Sequence, residues 1–338
     1  MIVLAFVLLA VMLGAYVLLD GYDLGVGTIH LFVARDDDER AATIASIGPF
    51  WNGNEVWLIA AGGTLFALFP QVYASSFSGF YLPFMVVLWL LMFRGIALEL
   101  RGHFANDLWH RFFDVTFSLA SALLALLLGV AFGNVLRGVP LDAGHYFLGT
   151  FTFLLNPYAL GVGVLAVLAL AQHGGAWIAM RVEGPPAVRA ARAVRSLWPL
   201  VFALGIAITF ATFRVHSPVP ALQAAPWTLL APLASVVGLG SVLFYAIKRQ
   251  PRRVFAASLL FLGGMIASAA VTLFPYLLPG YPSPQSGLSI YTVPVLPGAF
   301  DAILPVAIVG LVIVGAYRMF VARRIAAGER GGARGLGG

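Results

Sequence analysis

Apolar runs fill the chain from its first residue, and polar positions are confined to short breaks between them. Nine runs are long enough to cross about 30 Å of hydrocarbon, which takes roughly 20 helical residues. They cover 2–33, 45–69, 77–98, 115–135, 147–180, 196–213, 227–247, 254–278 and 298–320. The first continues from Met1 into Asp20-Gly-Tyr-Asp-Leu-Gly-Val-Gly27 without a basic flank or a small-residue cleavage site, so it reads as a retained span and not as a signal peptide. The pattern predicts an all-α integral membrane protein with nine transmembrane helices.

Composition agrees. With 338 residues, 61% hydrophobic and 10% charged, and a mean hydropathy of +0.94, the chain holds more apolar surface than one soluble core can hide. It has no cysteine, which excludes disulfides, thiolate metal sites and cysteine-held clusters, and no metal site is expected. The net charge of +6 does not point to nucleic acid, because the basic residues lie in the short breaks between apolar runs.

Those breaks set an orientation. The segments 34–44, 99–114, 181–195 and 248–253, with the C-terminal tail, hold 17 of the 20 Lys and Arg residues; the alternate segments hold only Arg137 and Arg214. The positive-inside rule then places the N-terminus outside and the C-terminus in the cytoplasm, as an odd number of spans requires. Arg94 is the one base within a span.

An internal echo suggests the arrangement of the spans. Asp20-Gly-Tyr-Asp-Leu-Gly-Val-Gly27 in the first matches Asn156-Pro-Tyr-Ala-Leu-Gly-Val-Gly163 in the fifth. Four spans separate the copies, so the repeat would be parallel: two pseudo-symmetric four-helix bundles and one peripheral helix. The corresponding division is 1–135 for the first bundle, 136–280 for the second, 281–322 for the ninth helix with its preceding loop, and 323–338 for a flexible cytoplasmic tail. Only the first copy carries carboxylates.

Candidate chemistry therefore gathers in the first half. Asp20 and Asp23 lie past the middle of the first span, Glu55 in the second, and Arg94 and Glu99 near the cytoplasmic end of the third. Asp20 and Asp23 share a helix face, as do Trp51 and Glu55, whereas the spacing of Glu99 from Arg94 and Arg101 points it away from both. Ion pairs must therefore form between helices. A charge at mid-bilayer costs about 2.5–3.5 kcal/mol on insertion scales, so such residues are paired or functional. Four acids against one deep arginine cannot all be ionised and paired within the chain. Either some are held protonated by desolvation, or positive groups arrive from a partner or a water-filled cavity. Both suit a proton path open to the cytoplasm; the plain alternative is an Arg–carboxylate lock that only fixes packing.

Of the six histidines, His103, His110, His145 and His216 fall in breaks, and His30 and His173 lie near helix ends. A facing pair of histidines is one way to hold a haem, but at helix ends these two read as interfacial polar residues.

Four blocks carry a resemblance. Asp20-Gly-Tyr-Asp-Leu-Gly-Val-Gly27, Gly48-Pro-Phe-Trp-Asn-Gly-Asn-Glu-Val-Trp57, Ser78-Gly-Phe-Tyr81 and Phe93-Arg-Gly-Ile-Ala-Leu-Glu-Leu-Arg101 closely resemble, in order and spacing, subunit II of the cytochrome bd quinol oxidases. Gly129-Val-Ala-Phe-Gly-Asn134 and Asn156-Pro157 extend the match, while the second half matches mainly by topology. The resemblance implies a haem-free subunit, inactive alone, in the bacterial cytoplasmic (inner) membrane. Its partner, subunit I, would carry haem b and haem d, with quinol and O2 as substrates of the complex and protons drawn from the cytoplasm. It leaves room for a small third subunit and a structural quinone among the lipids. By position it marks Asp20, Asp23, Trp57, Arg94, Glu99 and Arg101 as proton-path or interface residues. One departure stands out: the family pattern commonly reads Trp-Asp-Gly-Asn where this chain has Trp51-Asn52-Gly53-Asn54. Asn52 cannot carry a proton at neutral pH, and Glu55, at i+3, is the candidate replacement.

Two rival classes share some of these features. An ion-coupled secondary transporter would also show parallel repeats and intramembrane acids, but here the acids crowd one face and the second copy has no polar counterpart. A free-standing membrane cytochrome would rest on His30 and His173.

Overall fold

The structure is a computed structural model that describes residues 1–294 and 298–335. It is almost wholly helical. The first half contains α1 (Ile2–Val33), the short α2 (Asp37–Ala45), α3 (Trp51–Leu68), α4 (Pro70–Gly79), α5 (Tyr81–Leu100) and α6 (Asp107–Arg137). A one-turn α7 (Phe151–Leu154) leads into α8 (Pro157–Arg181) and α9 (Pro185–Val215). Then come α10 (Val219–Ala224), α11 (Leu230–Ile247), α12 (Pro251–Leu273) and α13 (Ala299–Gly335). Between the last two, β1 (Tyr276–Leu278) and β2 (Leu288–Ser289) pair antiparallel and fold the loop back on itself.

Among the described residues, eight helices are long and apolar enough to cross a bilayer: α1, α5, α6, α8, α9, α11, α12 and α13. The first residues of the expected span at 45–69 form the turn between α2 and α3, so the helix starts only at Trp51. The first turns of the 18-residue α3 hold Asn52, Asn54 and Glu55, which dilute its apolar character. Other boundaries move for local reasons. α6 starts at Asp107 and not near 115, because the Asn106 side chain caps the backbone N–H groups of Leu108 and Trp109; two polar turns thereby become helix. α8 starts at Pro157 and not near 147, with Asn156 capping the N–H of Ala159 and proline at the first helical position. The break expected at 181–195 is largely the first turns of α9. α13 runs through Gly335, and 336–338, the end of the expected tail, lie outside the described residues.

α1 packs against α3, α6, α8 and α12. Its approach to α8 is the tightest in the molecule's middle: a Cβ on Gly25 would overlap the Leu170 carbonyl and the Gly174 nitrogen, and one on Gly174 would overlap Gly25 and Val26. Only glycine permits backbones this close. The contact also fixes relative depth. Gly21 meets Leu170 and Gly25 meets Gly174, so the helices run parallel with an offset of 149 residues. The sequence echo has an offset of 136, from 20 to 156. The two copies of the motif are thus displaced by 13 residues, about 20 Å along the helix axis. What lies level with Asp23 is Gln172 with His173, so the second half does carry polar groups at that depth. Both are satisfied internally, Gln172 donating to the Val194 carbonyl (3.1 Å) and His173 engaged at each ring nitrogen.

Candidate functional site: buried ion clusters on helix α1

The buried positions of α3 are Trp51, Asn54, Trp57, Ala61, Thr64 and Leu68, one stripe at helical spacing that faces α1. Glu55 lies at the edge of this stripe. α5 brings up Arg94, and α1 contributes Tyr16, Asp20 and Asp23. Asp20, Asp23, Asn54 and Arg94 are all fully buried.

Arg94 is the centre of the cluster. Its Nη1 donates to Asp20 Oδ2 at 2.8 Å and its Nη2 to Asp20 Oδ1, a fork-to-fork pair linking α5 to α1. The same Nη2 stands 3.2 Å from Glu55 Oε1, and the Glu55 side chain is a quarter exposed. Tyr16 is buried on α1 one turn before Asp20. Asp23 belongs to a neighbouring node, where the Asn54 amide nitrogen reaches Asp23 Oδ2 (2.6 Å), the Tyr22 hydroxyl (2.8 Å) and the Leu19 carbonyl (3.1 Å). Two carboxylates thus share one guanidinium while a third is held by an amide.

Other candidates fall elsewhere. Asn52 is exposed, so its side chain is not part of the buried stripe; the buried amide is Asn54, two residues on. Trp57 is buried against α1 with its indole Nε1 unpartnered among the described residues. With Met12, Thr64, Ala307 and Leu311 it lines an apolar cavity of about 290 Å³ between α1, α3 and α13. Glu99 is exposed at the end of α5 and lines a recess with Trp51 and Arg101, away from Arg94.

Arg101 anchors a second cluster that hydropathy alone concealed. Asp114, placed in a break by its polar neighbours, is fully buried in α6 and accepts from Arg101 Nε at 2.6 Å. Arg40 of α2 stands 3.6 Å from the same carboxylate, and His30 Nε2 stands 3.7 Å from it. Asp37 of α2 closes the network, bonded to Arg101 (2.6 Å) and 3.1 Å from His110. The spacing of 114 to 117 and 121, with Phe117 and Ser121 also buried, was the readable sign that this face of α6 turns inward.

Both candidate histidines are buried and face groups of the chain itself. His173 Nδ1 meets Ser258 Oγ at 2.7 Å, its Nε2 meets the Leu18 carbonyl at 3.1 Å, and its ring stacks on Phe255. His30 Nδ1 meets the Gly27 carbonyl at 3.1 Å and its other nitrogen faces Asp114. The fold and site together define a polytopic α-helical membrane protein organised round inter-helix ion clusters.

The model of the family described as cytochrome bd terminal oxidase subunit II matches residues 1–325, and the chain belongs to that family. It is a multi-pass protein of the bacterial cytoplasmic membrane. It is 31% identical over 345 residues to the probable cytochrome oxidase subunit 2 of Haemophilus influenzae, covering 93% of this chain and 91% of that one. To the cytochrome bd-I ubiquinol oxidase subunit 2 of Escherichia coli it is 41% identical over 181 residues, 52% of this chain; the matched region spans about half (48%) of that relative's length. Its fold is similar to that of a chain in the solved bd oxidase of Geobacillus thermodenitrificans, with a TM-score of 0.79 at 18% identity over 96% of this chain and 98% of that one.

Proposed function

We propose that the chain is subunit II of a cytochrome bd-type quinol:O2 oxidoreductase, a haem-free mate for a subunit I that carries haem b and haem d. The observation that carries this reading is the position of Glu55. It faces the buried Arg94–Asp20 pair yet is a quarter exposed, on a face of α3 that no other element among the described residues covers beside Asn52 and Gly53. A carboxylate open to hydrocarbon is costly, which favours a protein partner or water at this face. Here α3 is the ninth crossing, its polar first turns sheltered by that partner. The N-terminus lies outside and the Val33 end of α1 faces the cytoplasm.

In this arrangement the chain's own residues hold and position protons. Glu55 sits where a proton can be exchanged between the partner's face and the cluster, and Arg94 compensates the carboxylate charge that remains. Asp20 and Asp23 extend the path or brace the interface. The cavity beside Trp57 suits an apolar tail with one acceptor for the indole N–H, as a structural quinone has. The transporter reading is not favoured: Gln172 and His173, level with Asp23, are consumed by internal hydrogen bonds.

The test is to purify the chain from native membranes with its associated subunits and record a reduced-minus-oxidised absorption spectrum. Haem d bands in a complex with a second large subunit support the reading. A colourless, solitary chain sinks it.

A further inference from the structure

At the Val33 end of the molecule, charge is divided unevenly between the two halves. Segments 34–44 and 99–114 carry seven acids and four arginines, and Arg40 and Arg101 are tied to Asp114 and Asp37. Segments 181–195 and 248–253 carry one acid, Glu183, against eight Lys and Arg residues. Of these, Arg189 is tied to Glu39 and to the Val33 carbonyl, which also shows that the start of α9 lies at this end. Six others, Arg192, Arg195, Lys248, Arg249, Arg252 and Arg253, are exposed and have no ion-pair partner among the described residues.

These six are neighbours in space. Val194 of α9 packs in one cluster with Val242 of α11 and Val254 and Ala257 of α12, with Tyr245 and Trp198 against them. The start of α9 and the α11–α12 turn therefore present their cations on one rim. Aromatic side chains mark the depth of that rim. Lys248 lies 4.2 Å over the exposed Phe244 ring, Arg253 lies 5.5 Å over Tyr245, and the Trp198 indole is anchored to the Leu239 carbonyl (2.8 Å). Trp and Tyr beside Lys and Arg at helix ends is the composition found at lipid headgroups.

We infer that this rim, formed by α9, α11 and α12, is a binding surface for the phosphate headgroups of anionic phospholipids. A general rule of positive charge on one membrane side requires only that cations be present. It does not explain why one half sets seven acids among its four arginines while the other leaves six cations together with one acid. Clustered like charges repel, and the anion present at this depth is the lipid phosphate, which relieves that repulsion and bridges three helix ends. Each cation near a charged membrane surface contributes about 1 kcal/mol, so each removal is expected to weaken binding about fivefold.

The protein, purified with its partner subunits, is reconstituted in phosphatidylcholine vesicles holding one-fifth phosphatidylglycerol, and the relative association of spin-labelled forms of the two lipids is measured. Phosphatidylglycerol is expected to be preferred, and the preference to fade in high salt. R192Q/R195Q and R252Q/R253Q should each reduce the preference at least tenfold or abolish it, whereas R252K/R253K retains it and R35Q/R111Q, on the other half's rim, leaves it unchanged. Equal association of the two lipids with the unmodified protein overturns the proposal. So does an equal loss in R35Q/R111Q, a loss in R252K/R253K as large as in the glutamine variant, or displacement of the preference by free inorganic phosphate.

Discussion

Asp20 and Arg94 meet as a bidentate pair between α1 and α5, both side chains fully buried. Removing one member of such a pair leaves a charge with neither water nor partner, which typically costs about 3–5 kcal/mol. Arg94→Gln is therefore predicted to lower the yield of assembled protein sharply, and Asp20→Asn/Arg94→Gln to recover part of it. Size-exclusion profiles of membrane extracts would show this; a single variant that assembles like the unmodified chain contradicts it.

Glu55 and Asn52 separate the packing role from the proton role. Glu55→Gln keeps the shape and a hydrogen-bonding oxygen toward Arg94 but cannot carry a proton. It is predicted to depress oxidase turnover or membrane-potential generation at least tenfold with assembly intact, while Asn52→Ala, altering an exposed side chain, has a small effect. Equal and small effects on both would remove Glu55 from the proton path.

The glycine contact between α1 and α8 makes a geometric prediction. Gly174→Ala places a methyl group into the Gly25–Val26 backbone, which no rotamer change can relieve. The helices must separate, at a cost of about 1–3 kcal/mol or more, seen as a lower midpoint in thermal aggregation of the detergent-solubilised protein. Gly205→Ala in α9, with nothing within 4 Å, serves as the control and should be neutral or slightly stabilising.

These residues also show what could be read from sequence. The bounds of α1, 2–33, and the need for an inter-helix partner for Arg94 followed from apolar length and from spacing on one helix, both properties of a single element. Hydropathy could not say which way a polar side chain turns. The resemblance singled out Asn52, though it is Asn54 that shares the buried Trp51–Trp57 face. Hydropathy set Glu99 among the buried acids, though α5 turns that residue outward. It ended the apolar run at 115 and so missed Asp114, because an Asn106 cap extends α6 through polar turns. The repeated Gly-rich motif carried direction but not depth: depth is set by where two backbones touch, and Gly25 touches Gly174, not the matching position in the motif.

Glu39 supplies the pH dependence. It lies on α2, outside the crossing helices, and its hydrogen bond from Arg189, with a second from the Arg35 backbone N–H, holds its carboxyl below the usual range. A group with a depressed folded pKa contributes stability above its unfolded value, near 4.3 for glutamate, and loses it as pH falls through the folded value. The tie between α2 and α9 is thus predicted to hold at neutral pH and to release in acid. Limited proteolysis of the 34–46 segment should rise below about pH 4 in the unmodified protein; Glu39→Gln should show the raised cleavage already at pH 7. Cleavage in the variant that still required acid would place the release elsewhere.

Asp114 tests whether the second cluster is structural. Among the described residues it is the single buried anion facing Arg101, Arg40 and His30, so Asp114→Ala leaves two arginines competing for Asp37, half exposed on α2. Asp114→Asn keeps a hydrogen-bond acceptor for Arg101 but removes the charge, and should be milder. The alanine variant is predicted to lose about 3–5 kcal/mol, visible as failure to assemble, and the asparagine variant to assemble with a lowered melting temperature. If the cluster only fixes α2 and the turn at Arg101 against α6, turnover per assembled complex stays unchanged in Asp114→Asn. A fall in turnover with assembly intact would instead put Asp114 and His30 on the path that serves Asp20 and Glu55.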